Sequence, residues 1–298
     1  MNRKLLWGIV AVLLVTNITT LLIWSQQKQI RINSGTAIDQ SEPAAIIGEK
    51  EISYDEWIAS LREEHGKQQL QTMIDKEVVR QLAEERDIHV SEKVIAREIA
   101  LLTTTQGVMT EETTQQKEKQ WRKDIQFRYR LEALLTDNVH IPENRVRTYY
   151  RKYQNQYDFQ ASIQLSHIVT PDMKTAEQVQ KKLENGAEFR ELARNYSIDE
   201  DTKQDGGYLG FFVNSSQFVP DVYVTAAAGM EERTYSEPIR RSDGVAIVFL
   251  HRKLPAIHFT YEEMKPYVKR ELAMDELEQS LSATSLWREM EVEWVYEN

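Results

Sequence analysis

Residues 162–170 read SIQLSHIVT. Apolar and polar side chains alternate through most of this stretch, the pattern of a half-buried β-strand. Ile163, Leu165, His167 and Val169 then share one face. A histidine among three apolar neighbours needs a hydrogen-bond partner. Whether His167 does chemistry or fills a space in a core depends on what surrounds it.

Downstream, TAEQVQKKLENG (175–186) predicts a helix that Gly186 ends in the left-handed conformation. AEFRELARNYS (187–197) predicts a second, shorter helix, and DGGYLGFF (205–212) a glycine-punctuated turn leading to aromatics. SSQFVPDVYVTAAAG (215–229) reads as a short helix or loop. GVAIVFLHRK (244–253) reads as a continuous apolar strand rich in β-branched residues. The order β, α, α, α, β describes a compact α+β domain over 158–254.

Upstream, residues 44–157 carry mostly helical signals. AAIIGEKEIS (44–53) reads as two short extended pieces around Gly48, and Ser53 with Glu56 forms a capping-box pattern. Leu70, Met73, Ile74, Val78 and Leu82 recur at helical spacing and predict one buried face. A second helix is expected from Ser91, a third through Trp121, Ile125, Tyr129 and Leu135, and a fourth after Pro142. The Thr-, Gln- and Glu-rich segment 107–119 reads as a loop. Residues 255–298 turn helical again: Thr260 and Glu263 make another capping box, and Met264, Val268, Leu272 and Leu277 form a stripe. Alternation at Val292, Trp294 and Tyr296 suggests a terminal strand. The returning helix implies one helical module interrupted in sequence by residues 158–254.

The first residues carry a different message. Arg3 and Lys4 precede Leu5–Trp24, which holds no charge. These twenty residues, mostly apolar but with Thr16, Asn17, Thr19 and Thr20 among them, rise about 30 Å as a helix, the thickness of a bilayer core. Residues 1–24 read either as a cleaved signal peptide or as an uncleaved single-pass membrane anchor, and the length of the run and the lack of an A-x-A-like site after it favour the anchor. The two basic residues favour a cytoplasmic N-terminus with the body of the protein outside the cytoplasm. Residues 25–43 read as a polar linker.

The 298 residues carry a net charge of −10 and no cysteine. Disulfides, thiolate metal sites and a Cys nucleophile are excluded. The acidic balance, with no long basic run, argues against nucleic acid. None of His65, His89, His140, His251 and His258 has ligand spacing with another histidine or carboxylate, so no metal site is expected. No cofactor motif is present.

LSHIV (165–169), NGAEFRELARNYSID (185–199), GGYLGFF (206–212), FVPDV (218–222) and SEPIRRSDGVAIVFL (236–250) occur in an order and spacing that resembles the parvulin family of peptidyl-prolyl isomerases. With the anchor, the helical module and the returning helix, the chain resembles extracytoplasmic foldases of the PrsA and SurA type. The resemblance implies a helical chaperone-like module with an inserted parvulin-like domain. It further implies isomerase activity on X-Pro bonds of unfolded or exported polypeptides, with no cofactor. The alternative is a catalytically weak or inactive holdase, and self-association into a homodimer stays open.

The resemblance also implies site residues. His167 matches the family's first histidine. Asp199 falls at the Cys/Asp position of the polar network, where it is either an acceptor for the imidazole or part of an acidic surface loop. Leu209 is a retained pocket residue, and Phe218 stands where the family has Met. The pocket Phe falls at Val222 counting from Pro220, or at Tyr223 counting back from Pro238. Ala246 stands where the second histidine is expected, so the network is expected to lack one member. His251 points to the opposite face of its strand.

Overall fold

The computed structural model describes residues 29–31, 37–39, 42–214, 216–277 and 281–296. The anchor expected at 1–24 and most of the linker expected at 25–43 lie outside the described residues. Among the described residues, no helix is long and apolar enough to cross a membrane. The chain divides into two units, Met1–Glu77 with Met290–Asn298, and Val78–Glu289.

In the first unit β1 (Gln29–Arg31) pairs antiparallel with β2 (Ala37–Asp39), and β3 (Ala45–Ile47) with β4 (Lys50–Ile52). The second hairpin turns at Gly48, whose φ of 64° lies in the left-handed region that glycine enters without steric cost. Helix α1 (Tyr54–Glu85) begins where Ser53 Oγ accepts the Glu56 N–H at 3.1 Å. Its predicted buried stripe is covered only toward the end: Val78 and Leu82 are buried, whereas Met73 is 58% exposed. The expected terminal strand does not form. Val292, Trp294 and Tyr296 are half-buried in alternation, but no β-ladder includes them. Trp294 stacks edge-on to Tyr296 and lies under Lys67, so side-chain cover produces the alternation without backbone pairing.

The second unit holds α2 (Glu92–Thr104), α3 (Glu111–Leu135), α4 (Glu143–Tyr157) and, much later, α8 (Tyr261–Leu277). Helix α3 corrects the loop expected at 107–119. Thr110 accepts the Thr113 N–H, Glu111 and Glu112 sit in the first turn, and Gln115 and Gln116 bond back to those two carboxylates one turn earlier. Capping and i,i+4 pairs outweigh the indifferent propensity of the threonines. Helix α8 opens with a reciprocal box: the Thr260 N–H donates to Glu263 Oε2 at 2.8 Å and the Glu263 N–H to Thr260 Oγ1 at 3.3 Å. Its Met264, Val268 and Leu272 pack with Val94, Ile141, Val146 and Tyr150, so the returning helix completes a core begun more than a hundred residues earlier.

Between α4 and α8 the chain leaves and re-enters at one point. Phe159 and Ile257 exchange backbone hydrogen bonds of 2.9 and 2.8 Å. The intervening residues build an antiparallel sheet from β5 (Ser162–Thr170), β6 (Tyr208–Val213), β7 (Thr234–Tyr235), β8 (Ile239–Arg241) and β9 (Gly244–Leu254). The order is β6-β5-β9-β7, with β8 also on β9. Helices α5 (Met173–Glu184) and α6 (Phe189–Tyr196) cover one face through Val179, Leu183 and Leu192 against Ile168 and Ile247. Helix α7 (Asp221–Gly229) belongs to the other face, where Tyr223 and Ala227 join Leu165, Val169, Ala246 and Val248. The central strand β5 is thus buried at all nine positions rather than half-buried. Strands β7 and β8, of two and three residues, escape periodicity because they are too short to show a period.

Val268 is fully buried in the shared helical core. Val268→Ala is expected to lower the unfolding free energy by about 2 kcal/mol, read as a shift in urea midpoint at unchanged slope. An unshifted midpoint would show that α8 does not contribute to that core.

Candidate functional site

His167 sits at the middle of β5, paired with Val248 of β9 and only 6% exposed. Its backbone N–H donates to Gly207 O at 2.8 Å. Gly207 has a φ of 74°, and a Cβ there would lie 1.9 Å from His167 O. Gly207 is therefore what lets the chain entering β6 approach the histidine so closely.

Both ring nitrogens are engaged. Nε2 lies 2.7 Å from Asp199 Oδ2 and 3.2 Å from Thr202 Oγ1. Nδ1 lies 2.9 Å from Tyr223 Oη, with the rings edge to face. Thr202 Oγ1 also donates to Asp199 Oδ2. Asp199 is placed by the chain turning off α6: Ser197 Oγ accepts from the N–H groups of Asp199 and Val169, and Ile198 N–H donates to Val169 O at 2.7 Å. The acidic stretch after Tyr196 is thereby tied to β5, and the side chain of Asp199 remains 26% exposed.

Burial pushes the His167 imidazole below its usual value, and the bond to Asp199 offsets this only in part. Burial also pushes the Asp199 carboxyl up, but the bonds from Thr202 and His167 outweigh it and leave the group below the ordinary carboxylate range. Burial raises the Tyr223 hydroxyl, opposed by Arg241. At neutral pH the cluster is therefore a neutral imidazole between a carboxylate and a neutral phenol.

The structure brings together His167, Asp199 and Tyr223. Tyr223, considered from sequence as a pocket residue, is 0% exposed and turns its hydroxyl to the imidazole, so it presents no surface to a peptide here. Leu209 is half-buried against the α7-facing core. Phe218 is 91% exposed and Val222 43% exposed, both close in sequence to Pro220 at the start of α7. Thr202, Arg241 and Asp243 were not singled out by sequence. Arg241 donates to Tyr223 Oη through Nη1, and through Nε and Nη2 grips Asp243 at 2.8 and 2.7 Å. The RRSD run holds them (240–243), but nothing local distinguishes it from a charged turn.

His251 lies on the other face, as its spacing implies. Its Nε2 is 2.8 Å from Ser166 Oγ. A cavity of about 800 Å³ opens there, lined by Phe189, Tyr208, Phe249 and His251 and roofed by residues 107–111. Among the described residues no group of three or more His, Cys, Asp or Glu is arranged to hold a metal ion.

A family model described as the PPIC-type PPIASE domain (rotamase) matches residues 172–252. A Bacillus subtilis protein named as a putative peptidyl-prolyl cis-trans isomerase, YacD, is 33% identical over 300 residues, covering 99% of this chain and 98% of that protein. A foldase protein PrsA of Halalkalibacterium halodurans is 27% identical over 245 residues, covering 78% of this chain and 70% of the relative. Among solved structures, PrsA from Bacillus cereus aligns with a TM-score of 0.32 at 22% identity, covering 86% of this chain and 95% of that one.

Burial pushes the His251 imidazole down to about 4. The unfolded chain, titrating near 6.5 (about the free value), then binds the proton more readily than the folded one. The stability that the neutral His251 contributes is complete above that pH and falls away as pH drops toward 4. His251→Gln is expected to flatten the pH dependence of the urea midpoint between about pH 6.5 and 4. A variant that loses stability over that window as steeply as the parent would exclude His251 as the source.

Proposed function

This chain belongs to the PpiC-type, or parvulin, family of peptidyl-prolyl cis-trans isomerases, and we propose that its His167–Asp199 pair forms the polar floor of the isomerase site. The enzyme is a foldase that catalyses rotation about X-Pro bonds. The observation that carries the site assignment is the buried imidazole at 2.7 Å from a partly exposed carboxylate; the exposed Phe218 and Val222 lie within five residues in sequence of Tyr223, which bonds the same imidazole.

The chemistry needs no nucleophile, metal or cofactor. An X-Pro amide crosses a barrier of about 18–20 kcal/mol and exchanges over tens to hundreds of seconds unaided. A planar amide owes its resonance to charge separation, negative at oxygen and positive at nitrogen. Rotation removes that separation. A carboxylate held beside the carbonyl oxygen therefore raises the planar state more than the twisted one. Apolar surroundings act in the same direction, because the twisted amide is less dipolar. Both are differential effects, the only kind that accelerates a step. In this reading Asp199 supplies the charge. Thr202 and His167 hold the carboxylate in place, and Leu209, Phe218 and Val222 grip the proline ring. His167 has both nitrogens committed to protein groups, so it acts as a positioning residue for Asp199 rather than as a proton carrier.

The apolar run 5–24 behind Arg3 and Lys4 supports a single-pass anchor with the enzyme outside the cytoplasm, acting on exported chains as they fold. Protease added to intact cells would then digest the body of the protein. Protection of the body would reverse the topology.

In a proline-peptide exchange assay the protein is expected to accelerate isomerisation. Asp199→Asn should lower kcat/KM by about tenfold or more, equivalent to about 1.4 kcal/mol of transition-state stabilisation. Phe218→Ala should act mainly on KM, because it removes ring contact made in ground and transition states alike. An Asp199→Asn variant with undiminished kcat/KM would exclude the carboxylate from the reaction. Suppression of client aggregation without any acceleration would support a holdase instead.

A further inference from the structure

The hydrogen bonds around His167 have a direction that donor and acceptor counting fixes. The inference drawn from it rests on the assignment of His167 and Asp199 above. A guanidinium carries five N–H donors and no acceptor. Arg241 Nη1 therefore donates to Tyr223 Oη, and the phenol oxygen accepts. Tyrosine has one hydroxyl proton, and the remaining partner within reach is His167 Nδ1 at 2.9 Å. That nitrogen must present its lone pair. The proton of a neutral imidazole is then on Nε2, aimed at Asp199 Oδ2 at 2.7 Å, an oxygen that can only accept when ionised. Every bond points from the cation Arg241 to the anion Asp199. Arg241 is itself held at the far end by Asp243, which takes two of its donors at 2.8 and 2.7 Å.

We propose that Tyr223, oriented by Arg241, is a positioning residue that locks His167 in the Nε2–H tautomer and so keeps a hydrogen bond aimed at Asp199. The tyrosine and arginine together do the work of the network member that the sequence lacks at Ala246. Packing agrees with this substitution. Ala246 is 0% exposed and belongs to the same apolar cluster as the Tyr223 ring, so a small residue at 246 goes with a large one at 223. The arginine also sets the sense of the chain. Without a donor-only group behind it, the phenol could turn its proton away, and Nδ1 could take up a proton and donate in return. Asp199 would then face an unprotonated Nε2, lone pair to lone pair.

Nitrogen NMR of the imidazole rings in the full-length protein tests this independently of turnover. Above neutral pH the parent is expected to show His167 with a protonated Nε2 and a bare Nδ1. Tyr223→Phe, which keeps the ring and removes the hydroxyl, should populate the second tautomer and lower kcat/KM by about fivefold, the worth of about one hydrogen bond. Arg241→Lys, still donor-only, should retain the parent tautomer. Arg241→Gln, which can also accept, should not, and it gives a second reading if Tyr223→Phe folds poorly. Unchanged ring-nitrogen shifts in both Tyr223→Phe and Arg241→Gln would overturn the proposal. A parent with the locked tautomer but no isomerase activity would sink the site assignment and leave the tautomer lock standing.

Discussion

A buried imidazole must satisfy two nitrogens of opposite character at once, one giving a proton and one receiving it. At His167 that demand organises much of the inserted domain. It requires an acceptor on one side, and the chain supplies Asp199 by bonding the end of α6 to β5 through Ser197 and Ile198. It requires a donor on the other, and α7 supplies Tyr223 from a fully buried position. The chain entering β6 also comes within hydrogen-bond reach of the His167 backbone, an approach that the absence of a side chain at Gly207 makes possible. Leaving either nitrogen dry and unpaired would cost about 1–3 kcal/mol, comparable with the loss of a well-packed methyl-rich side chain. The polar floor and the apolar core therefore stabilise one another.

Much of the fold could be read from the chain because its elements announce themselves locally. The strands around His167 and Val248, the helices with three- and four-residue spacing, the Gly186 stop and the Thr260–Glu263 box are all written in adjacent residues. What escaped reading was decided at a distance or on too short a scale. The start of α3 depends on the Thr110 cap and on Gln–Glu pairs that composition alone disguises as a loop. The C-terminal alternation mimics a strand because Trp294 and Tyr296 are covered, while no neighbouring backbone completes a ladder.

The site divides in the same way. His167, Asp199 and Leu209 lie in short patterns, so their positions can be counted. Tyr223 could be counted to, but not its orientation, which depends on a hydroxyl meeting an imidazole 56 residues away in sequence. Arg241 and Asp243 carry no signal at all until β8 folds back along β9. Seen from the sequence, Ala246 is a missing group. In three dimensions the vacancy is answered from another element, which is why position-by-position comparison understates how complete the network is.

The mutual backbone bonds between Phe159 and Ile257 bear on how such a protein can change over long times. Phe159 and Ile257 are fixed side by side, so closing the chain between α4 and α8 depends little on the length of what lies between them. Closing a loop of roughly a hundred residues costs only about 0.6 kcal/mol more for each doubling of its length. A change of length there costs little in closure entropy, and what it does cost lies in side-chain contacts to α3 such as Arg233–Glu111 and Arg252–Glu118. The sheet and its helices are in that sense free to lengthen, shorten or retune their chemistry between two ends that stay in place.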